Sequence, residues 1–178
     1  LTDSGGYQVF SLRGTRKVHD DGVDFQSHVD GSRHVFTPES VMDIQRTLGA
    51  DIVMAFDECP PGGCDRQTAE QANRRTLEWL RRCRIRFDEL EQLGEFTEQS
   101  LFPVLQGNVF DDLRREHAEQ FMSLNDWDGF GIGGLSVGES KPDMWRTLEL
   151  LDDVLPKDRP RYLMGVGYPD DLLEAIKR

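Results

Sequence analysis

The sequence predicts an α/β fold, namely a partial (β/α)₈ TIM barrel with a small inserted β-hairpin. Three observations support this. Apolar runs of strand length alternate with amphipathic helical segments, each run ends in polar or glycine-rich residues, and the unit occurs four times in 178 residues. A doubly wound sheet also fits the alternation. The barrel is favoured because polar ends follow every strand, not one switch point.

The whole chain, residues 1–178, is expected to be part of one TIM-barrel catalytic domain that is truncated at both ends. Leu1 opens what reads as the tail of a strand, and the final segment Asp171–Arg178 has a helical pattern without a Gly or Pro to end it. We therefore expect an internal piece of a longer protein, without the first barrel strands.

The opening motif Asp3-Ser-Gly-Gly-Tyr-Gln8 combines an acid, a hydroxyl, two glycines, an aromatic ring and an amide. A ring beside a short acid suits a site that grips a planar heterocycle. Taken alone, the motif is more typical of a capped turn. The site interpretation depends on the segments that follow.

A small hairpin is predicted next, standing off the main body. Two alternating runs, residues 22–28 and 32–36, flank Asp30-Gly31, and Asp-Gly is a strong hairpin signal. A helix then begins with Thr37 as N-cap and Pro38 at its first position, and it stops at Gly49. A basic stretch, residues 13–17, precedes the hairpin.

The first buried strand is predicted over Asp51–Asp57, where the apolar run lacks alternation, as in a parallel strand covered on both faces. A long helix follows over about Asp65–Leu93. Its arginines are either a solvated face, the favoured interpretation, or a phosphate-facing surface. They are Arg74, Arg75, Arg81, Arg82, Arg84 and Arg86.

The same unit then repeats three times. Strands are predicted over 101–106, 128–134 and 161–167, with helices over 111–124, from near Pro142 and from Pro169. In the helix over 111–124 we expect Leu113, Ala118 and Phe121 to face inward.

Composition excludes several classes of protein. A net charge of −12 argues against a dedicated basic nucleic-acid module, although one local basic face remains compatible with it. No run of 18 apolar residues and no leader is present, so no membrane association is predicted. Cys59, Cys64 and Cys83 include no CxxC pair, which predicts a reducing, cytoplasmic location and no metal site in this chain.

In a barrel the carboxyl ends of the strands meet at one mouth. The residues placed there are Asp3, Asp57, Gln106, Gly133, Gly134 and Met164. Carboxylates can accept from the N1–H and N2–H₂ groups of a guanine-like edge, while an amide or backbone N–H serves its O6. Each residue also has a purely structural interpretation: Asp57 as a helix cap, Gln106 as a strand-end partner, Met164 as core. Together they favour a nucleobase pocket.

These and neighbouring motifs resemble the tRNA-guanine transglycosylase family, bacterial type. The resemblance covers the chain in order and rests on Asp3-Ser-Gly-Gly-Tyr-Gln8, His28-Val-Asp-Gly-Ser-Arg-His34, Asp51–Cys59, Leu105-Gln-Gly107, Gly133–Glu139 and Tyr162–Gly167. It implies a (β/α)₈ barrel that exchanges guanine at the tRNA wobble position for a 7-deazaguanine during queuosine biosynthesis.

The resemblance also implies roles for individual residues. Asp3 would be the proton-handling catalytic carboxylate. The substrate-binding residues would be Ser4, Tyr7, Asp57, Cys59, Gln106, Gly133, Gly134, Leu135, Val137, Glu139 and Met164. Among these, Tyr7 and Met164 would hold the base from its two faces, Leu135 would offer backbone to the 7-substituent, and Glu139 would steady that peptide. Val137 and Cys59 imply the bacterial substrate, 7-aminomethyl-7-deazaguanine (preQ1).

The implied reaction is a double displacement through a covalent aspartyl intermediate, with the wobble base flipped out of the anticodon loop. The implied partners are tRNA, preQ1 and guanine, with a homodimer as a further candidate. The family's attacking aspartate and its zinc ligands, three cysteines and a histidine, are expected outside this chain. The segment Pro61-Gly-Gly-Cys64 departs from the family pattern. We therefore predict no turnover from this chain alone.

Two other functions remain open at this point. One is a non-catalytic tRNA-binding partner subunit of the same superfamily, which the presence of both Asp3 and Asp57 disfavours. The other is a phosphate-binding barrel enzyme that uses Gly165-Val-Gly167 as an anion loop. Because a glycine pair after a strand is common, that signal is weak.

Overall fold

A computed structural model describes residues 1–12, 14, 16–94 and 98–178. Arg13 and Thr15 of the predicted basic stretch therefore lie outside the described residues. The helices are α1 (Gly6–Ser11), α2 (Pro38–Leu48), α3 (Arg66–Gln92), α4 (Asp111–Leu124), α5 (Lys141–Val154) and α6 (Pro169–Ile176). The strands are β1 (Arg16–His19), β2 (Gly22–Gln26), β3 (Arg33–Phe36), β4 (Ile52–Met54), β5 (Ser100–Phe102), β6 (Val104–Leu105), β7 (Phe130–Ile132) and β8 (Arg161–Leu163).

The predicted parallel strands lie side by side in sequence order. Thr2 bridges to Val53 of β4, β4 pairs with β5, and β6, β7 and β8 pair in that order. Pro103 separates β5 from β6. The two sheets are nevertheless joined at this point, because the Phe102 carbonyl accepts from the Ala55 N–H after β4 and the Pro103 carbonyl accepts from the Gly131 N–H of β7. A doubly wound sheet would reverse this order, and the described strands contain no reversal. They also form no closed barrel, so a mixed α/β fold is what the structure establishes.

The core lies between these strands and the helices that follow them. Val53, Leu101 and Leu105 are almost fully buried, as the lack of alternation in their strands predicts. Phe56, which follows β4, stacks on Trp79 of α3 with ring centroids 4.6 Å apart. This contact fixes the long helix against the strand end that carries Asp57.

The helix boundaries follow the predicted caps closely. The Thr37 side chain accepts from the Ser40 N–H, and Gly49 ends α2 with a φ of 71°. Ser40 does more than complete the turn, since its hydroxyl accepts from the Thr37 N–H at 2.9 Å and closes a capping box. None of the helices in the described parts of the chain is long and apolar enough to cross a membrane.

The predicted hairpin is a three-stranded antiparallel sheet, β1–β2–β3, that packs on the main body. The tight turn lies at Asp20-Asp21, whereas Asp30-Gly31 belongs to a longer loop. Val23 is buried in the main core, and the Trp79 Nε1 atom donates to the Asp20 carbonyl at 2.8 Å. The predicted pairing of residues 22–28 with 32–36 is therefore confirmed by β2 and β3, whereas the expectation that the hairpin stands off the body was wrong, and the third strand β1 was not predicted.

The arginines of α3 are engaged by carboxylates. Arg74 and Arg75 pair with Asp20, and Arg82 pairs with Glu39. Arg81, Arg84 and Arg86 pair with acids of α3 itself, and Arg86 also reaches Asp43 of α2. This arrangement favours the solvated-face interpretation over a surface open to phosphate.

Candidate functional site

The carboxyl ends of the parallel strands surround a cavity of about 320 Å³. Most of the predicted site residues line it, from segments far apart in sequence. The lining residues are Asp3, Tyr7, Gln8, Asp57, Cys59, Gln106, Gly133, Gly134, Leu135, Ser136, Val137, Met164 and Gly165. Ser4 and Glu139 stand just behind this wall and hold residues that line it. The structure thus brings the predicted residues to one place.

Asp57 and Gln106 form the polar floor of the cavity. The Gln106 Nε2 atom donates to Asp57 Oδ2 at 2.7 Å, and the Ser4 hydroxyl donates to Asp57 Oδ1 at 3.3 Å. All three side chains are buried. The Oε1 atom of Gln106 is buried without a hydrogen-bond partner among the described residues. An unpaired buried acceptor is costly, so this amide is poised to meet a donor.

Burial raises the pKa of Asp57 from 3.8 to about 7, although the hydrogen bond from Gln106 opposes the shift. The negative charges of Asp3 and Glu58 raise this pKa further. A carboxyl group with a pKa near 7 changes protonation state in the physiological range. The ionised Asp57 can therefore accept hydrogen bonds from a bound base. At lower pH, in the empty site, the same group is neutral.

Gly133 and Gly134 allow Gln106 to approach the backbone closely. A Cβ atom at Gly134 would lie 2.3 Å from Gln106 Oε1, and one at Gly133 would lie 2.8 Å from Gln106 Nε2. Gly134 also has a φ of 65°, in the left-handed region. Larger residues would displace the amide from the cavity floor.

The opening motif folds into a bend and a short helix, α1, which the sequence interpretation did not predict. The Asp3 Oδ1 atom accepts from the Ser4 N–H at 2.7 Å, and Oδ2 accepts from the Gln8 side chain at 3.1 Å. Tyr7 lies in the first turn of α1 with half of its surface exposed. An acid and an aromatic ring therefore stand together at the open side of the cavity.

The loop from Leu135 to Glu139 closes another side. The Glu139 carboxylate accepts from the Ser136 N–H at 2.5 Å and from the Val137 N–H at 3.0 Å. The Val137 carbonyl accepts from the Gly62 N–H, and a Cβ atom at Gly62 would lie 2.8 Å from that carbonyl oxygen. The segment Pro61-Gly-Gly-Cys64, which differs from the family pattern, thus packs directly behind Val137.

The cysteines do not fit a metal site. Burial raises the pKa of Cys59 and of Cys83 to about 12, so both thiols are protonated at neutral pH. Among the residues that the structure describes, no group of three His, Cys, Asp or Glu side chains could hold a metal ion. The described residues therefore offer no ligand set for the zinc expected in the longer protein.

Sequence interpretation missed Gln8, Ser136 and Gly165 in the lining, and two buried polar residues of α4 behind it. Arg114 and His117 are almost fully buried. The His117 Nδ1 atom accepts from the Gln106 N–H at 3.1 Å, and burial lowers its pKa to about 3. Both residues share the helical spacing of Ala118 and Phe121, which could have placed them on the inward face.

Comparison with known proteins shows the family of the chain. The family model described as "Queuine tRNA-ribosyltransferase" matches residues 1–178. The chain belongs to that family. The resemblance to the tRNA-guanine transglycosylases that the sequence motifs indicated is thereby confirmed.

Three similar proteins, each named queuine tRNA-ribosyltransferase, align over the whole chain. The protein of Desulforamulus reducens is 50% identical and 46% of it is covered. Those of Symbiobacterium thermophilum and Pelotomaculum thermopropionicum are each 51% identical, with 43% and 46% covered. The chain therefore spans about half the length of the curated relatives it matches.

Proposed function

We propose that this chain forms the base-recognition part of a tRNA-guanine transglycosylase. This glycosyltransferase would exchange guanine at the wobble position of tRNA for preQ1. One observation carries the proposal: the Asp57–Gln106 pair forms the floor of a cavity that Asp3, Tyr7 and Met164 also line. Membership of the queuine tRNA-ribosyltransferase family supports it. We also propose that the parallel strands belong to a closed (β/α)₈ barrel in the longer protein.

The polar floor would read the Watson–Crick edge of the base. The Asp57 carboxylate would accept from N1–H and N2–H₂, and O6 would accept from the Gly134 N–H and from the second N–H of Gln106 Nε2, whose first N–H is held by Asp57. Tyr7 and Met164 would contact the faces of the ring, through stacking and a sulfur–aromatic contact. The peptide that Glu139 holds would meet the 7-substituent.

The exchange itself would need an aspartate from the remaining half of the protein. Its carboxylate oxygen would form a bond to the ribose C1′ as the C1′–N9 bond breaks, and guanine would leave with that electron pair and take a proton. The preQ1 N9 would then lose its proton, attack C1′ and release the aspartate. Asp3 stands at the open side of the cavity and would handle these protons.

Val137 and Cys59 favour preQ1 over the larger base queuine. An exchange assay on the longer protein tests both the exchange activity and the choice of preQ1 as substrate. Labelled guanine in tRNA should be replaced by preQ1, Asp57→Asn should abolish exchange, and Asp128→Asn, at an exposed position, should leave it unchanged. Binding of tRNA without exchange would favour the partner-subunit alternative, and preference for queuine would reverse the substrate assignment.

A further inference from the structure

Arg114 of α4 is a fully buried arginine without a carboxylate partner among the described residues. Its exposed fraction is 0%. Burial lowers its pKa to about 10, so the guanidinium still carries its charge at neutral pH. Arginine is rarely buried unpaired, because removing its charge from water is costly. Hydrogen bonds to the backbone must compensate for that cost.

Those hydrogen bonds all go to carbonyl groups at the strand ends of the site. The Nη1 atom donates to the carbonyls of Leu105 and Gly133 at 3.0 and 2.8 Å, and Nη2 donates to that of Gly134 at 3.2 Å. Nε donates to the Asn108 carbonyl at 2.7 Å. One rigid, planar group therefore joins the end of β6, the loop after it and the end of β7.

The direction of these carbonyls determines the direction of the neighbouring N–H groups. In a planar trans peptide the C=O and the following N–H point in opposite directions. Because the carbonyls of Gly133 and Gly134 point to Arg114, the N–H groups of Gly134 and Leu135 point away from it. Gly134 and Leu135 line the cavity, whereas Arg114 does not. The buried charge thus lies on the side of these two peptides opposite to their N–H groups, and the Gly134 backbone hydrogen-bonds Cys59, another residue that lines the cavity.

We propose that Arg114 is a positioning residue that aims the Gly134 and Leu135 N–H groups at the O6 side of the bound base. It does not touch the base, and it acts through the backbone that it holds. This inference rests on the proposed function, because it assigns O6 recognition to that site. Packing supports the same arrangement: a Cβ atom at Gly134 would lie 3.2 Å from Arg114 Nη2, and one at Gly107 3.1 Å from Arg114 Cδ.

The test compares guanine with 6-thioguanine, whose sulfur is a poor hydrogen-bond acceptor at the O6 position. Dissociation constants are measured by calorimetry on the longer protein, well below its melting temperature, for wild type, Arg114→Lys and Arg114→Met. The exposed neighbour Arg115 supplies the matched controls Arg115→Lys and Arg115→Met. Circular dichroism confirms that each variant is folded, and Arg114→Lys provides the measurement if Arg114→Met does not fold.

We expect wild type to prefer guanine, and the Arg114 variants to lose about tenfold in guanine affinity and most of that preference. The Arg115 variants should match wild type. A lower melting temperature with an unchanged affinity ratio would mean that Arg114 only stabilises the fold, and would overturn the proposal. If wild type itself bound neither base, the proposed function would fail, and this inference with it.

Discussion

The Nε2 atom of Gln106 donates to the Oδ2 atom of Asp57 at 2.7 Å, across 49 positions of sequence. The bond joins the ends of neighbouring parallel strand segments, and both side chains are buried. Gln106 Oε1 has no hydrogen-bond partner in the described part of the chain, and the burial of Asp57 raises the pKa of that acid. The recognition properties proposed for this protein depend on that pair.

Base affinity should depend on the protonation of Asp57. The ionised form accepts from the base, so affinity should be complete above the pKa of about 7 and should be lost as pH falls through it. Below that value the dissociation constant of guanine should rise about tenfold per pH unit. Calorimetry between about pH 5 and pH 8, where guanine keeps its N1–H, measures this, with Asp57→Asn as the pH-independent control. A flat wild-type profile would contradict the assignment.

Asp57 should also destabilise the fold at neutral pH. Its folded pKa lies above its usual value of 3.8, so its contribution to the free energy of unfolding falls as pH rises from about 4 to about 7. The free energy of unfolding of Asp57→Asn should therefore rise relative to that of wild type as pH increases across this window, by about 4 kcal/mol at most. Urea unfolding of both proteins at each pH provides the difference.

The free energies of unfolding of wild type and Asp57→Asn must be compared, because His117 changes the stability of both proteins with pH in the opposite direction to Asp57. Its pKa is lowered to about 3 by burial, so its contribution is present above the unfolded value of 6.5 and is lost as pH falls. Since His117 is common to both proteins, it cancels in the comparison. If the stability of Asp57→Asn relative to wild type fell with rising pH, the pKa of Asp57 would be lowered in the folded protein and not raised.

Gly134→Ala should disrupt the site more than the fold. The new methyl group would lie 2.3 Å from Gln106 Oε1, at a residue whose φ is 65°, so the amide must move. We expect a loss of about 1–3 kcal/mol in stability and at least a tenfold loss in guanine affinity. Gly167→Ala, where no atom of the described residues lies within 4 Å of the new Cβ, is the matched control. Equal effects of the two substitutions would argue against a special role for Gly134.

Glu139→Gln should loosen the loop that meets the 7-substituent. The carboxylate accepts two N–H groups with its two oxygens, and a glutamine offers only one oxygen. We expect the substitution to reduce the affinity for preQ1 more than the affinity for guanine, because guanine has no aminomethyl group to contact this loop. Competition binding compares the bases, and Glu119→Gln at an exposed position is the control. Parallel losses for both bases would point to general unfolding of the loop.

Local signals in the sequence predicted much of this fold. The predicted boundaries of α2 and α4 agree with the structure because caps and helical periodicity are local properties. The sequence predicts β4 to β7 because burial on both faces leaves continuous apolar runs, whereas β8 is only partly buried, with Tyr162 exposed. The convergence of Asp57 and Gln106 followed from the rule that parallel strand ends share one edge.

Elements that depend on distant partners were missed. Strand β1 has little apolar alternation, and it is defined by its pairing with β2 and by the contacts of the following Asp20-Asp21 turn with α3. Helix α1 has only six residues and follows Gly5 in a left-handed conformation, so its own periodicity is too short to identify it. Helical spacing places Arg114 on the inward face of α4, but the four carbonyls that compensate for its burial come from other segments. No local pattern encodes those acceptors.

The most direct test of the nucleobase-site assignment is a crystal structure of the protein with guanine. We predict the base in the cavity lined by Tyr7 and Met164, with N1 and N2 at about 2.7–3.2 Å from the Asp57 carboxylate oxygens. Guanine bound elsewhere, or in this cavity with its Watson–Crick edge turned away from Asp57 and Gln106, would contradict the assignment.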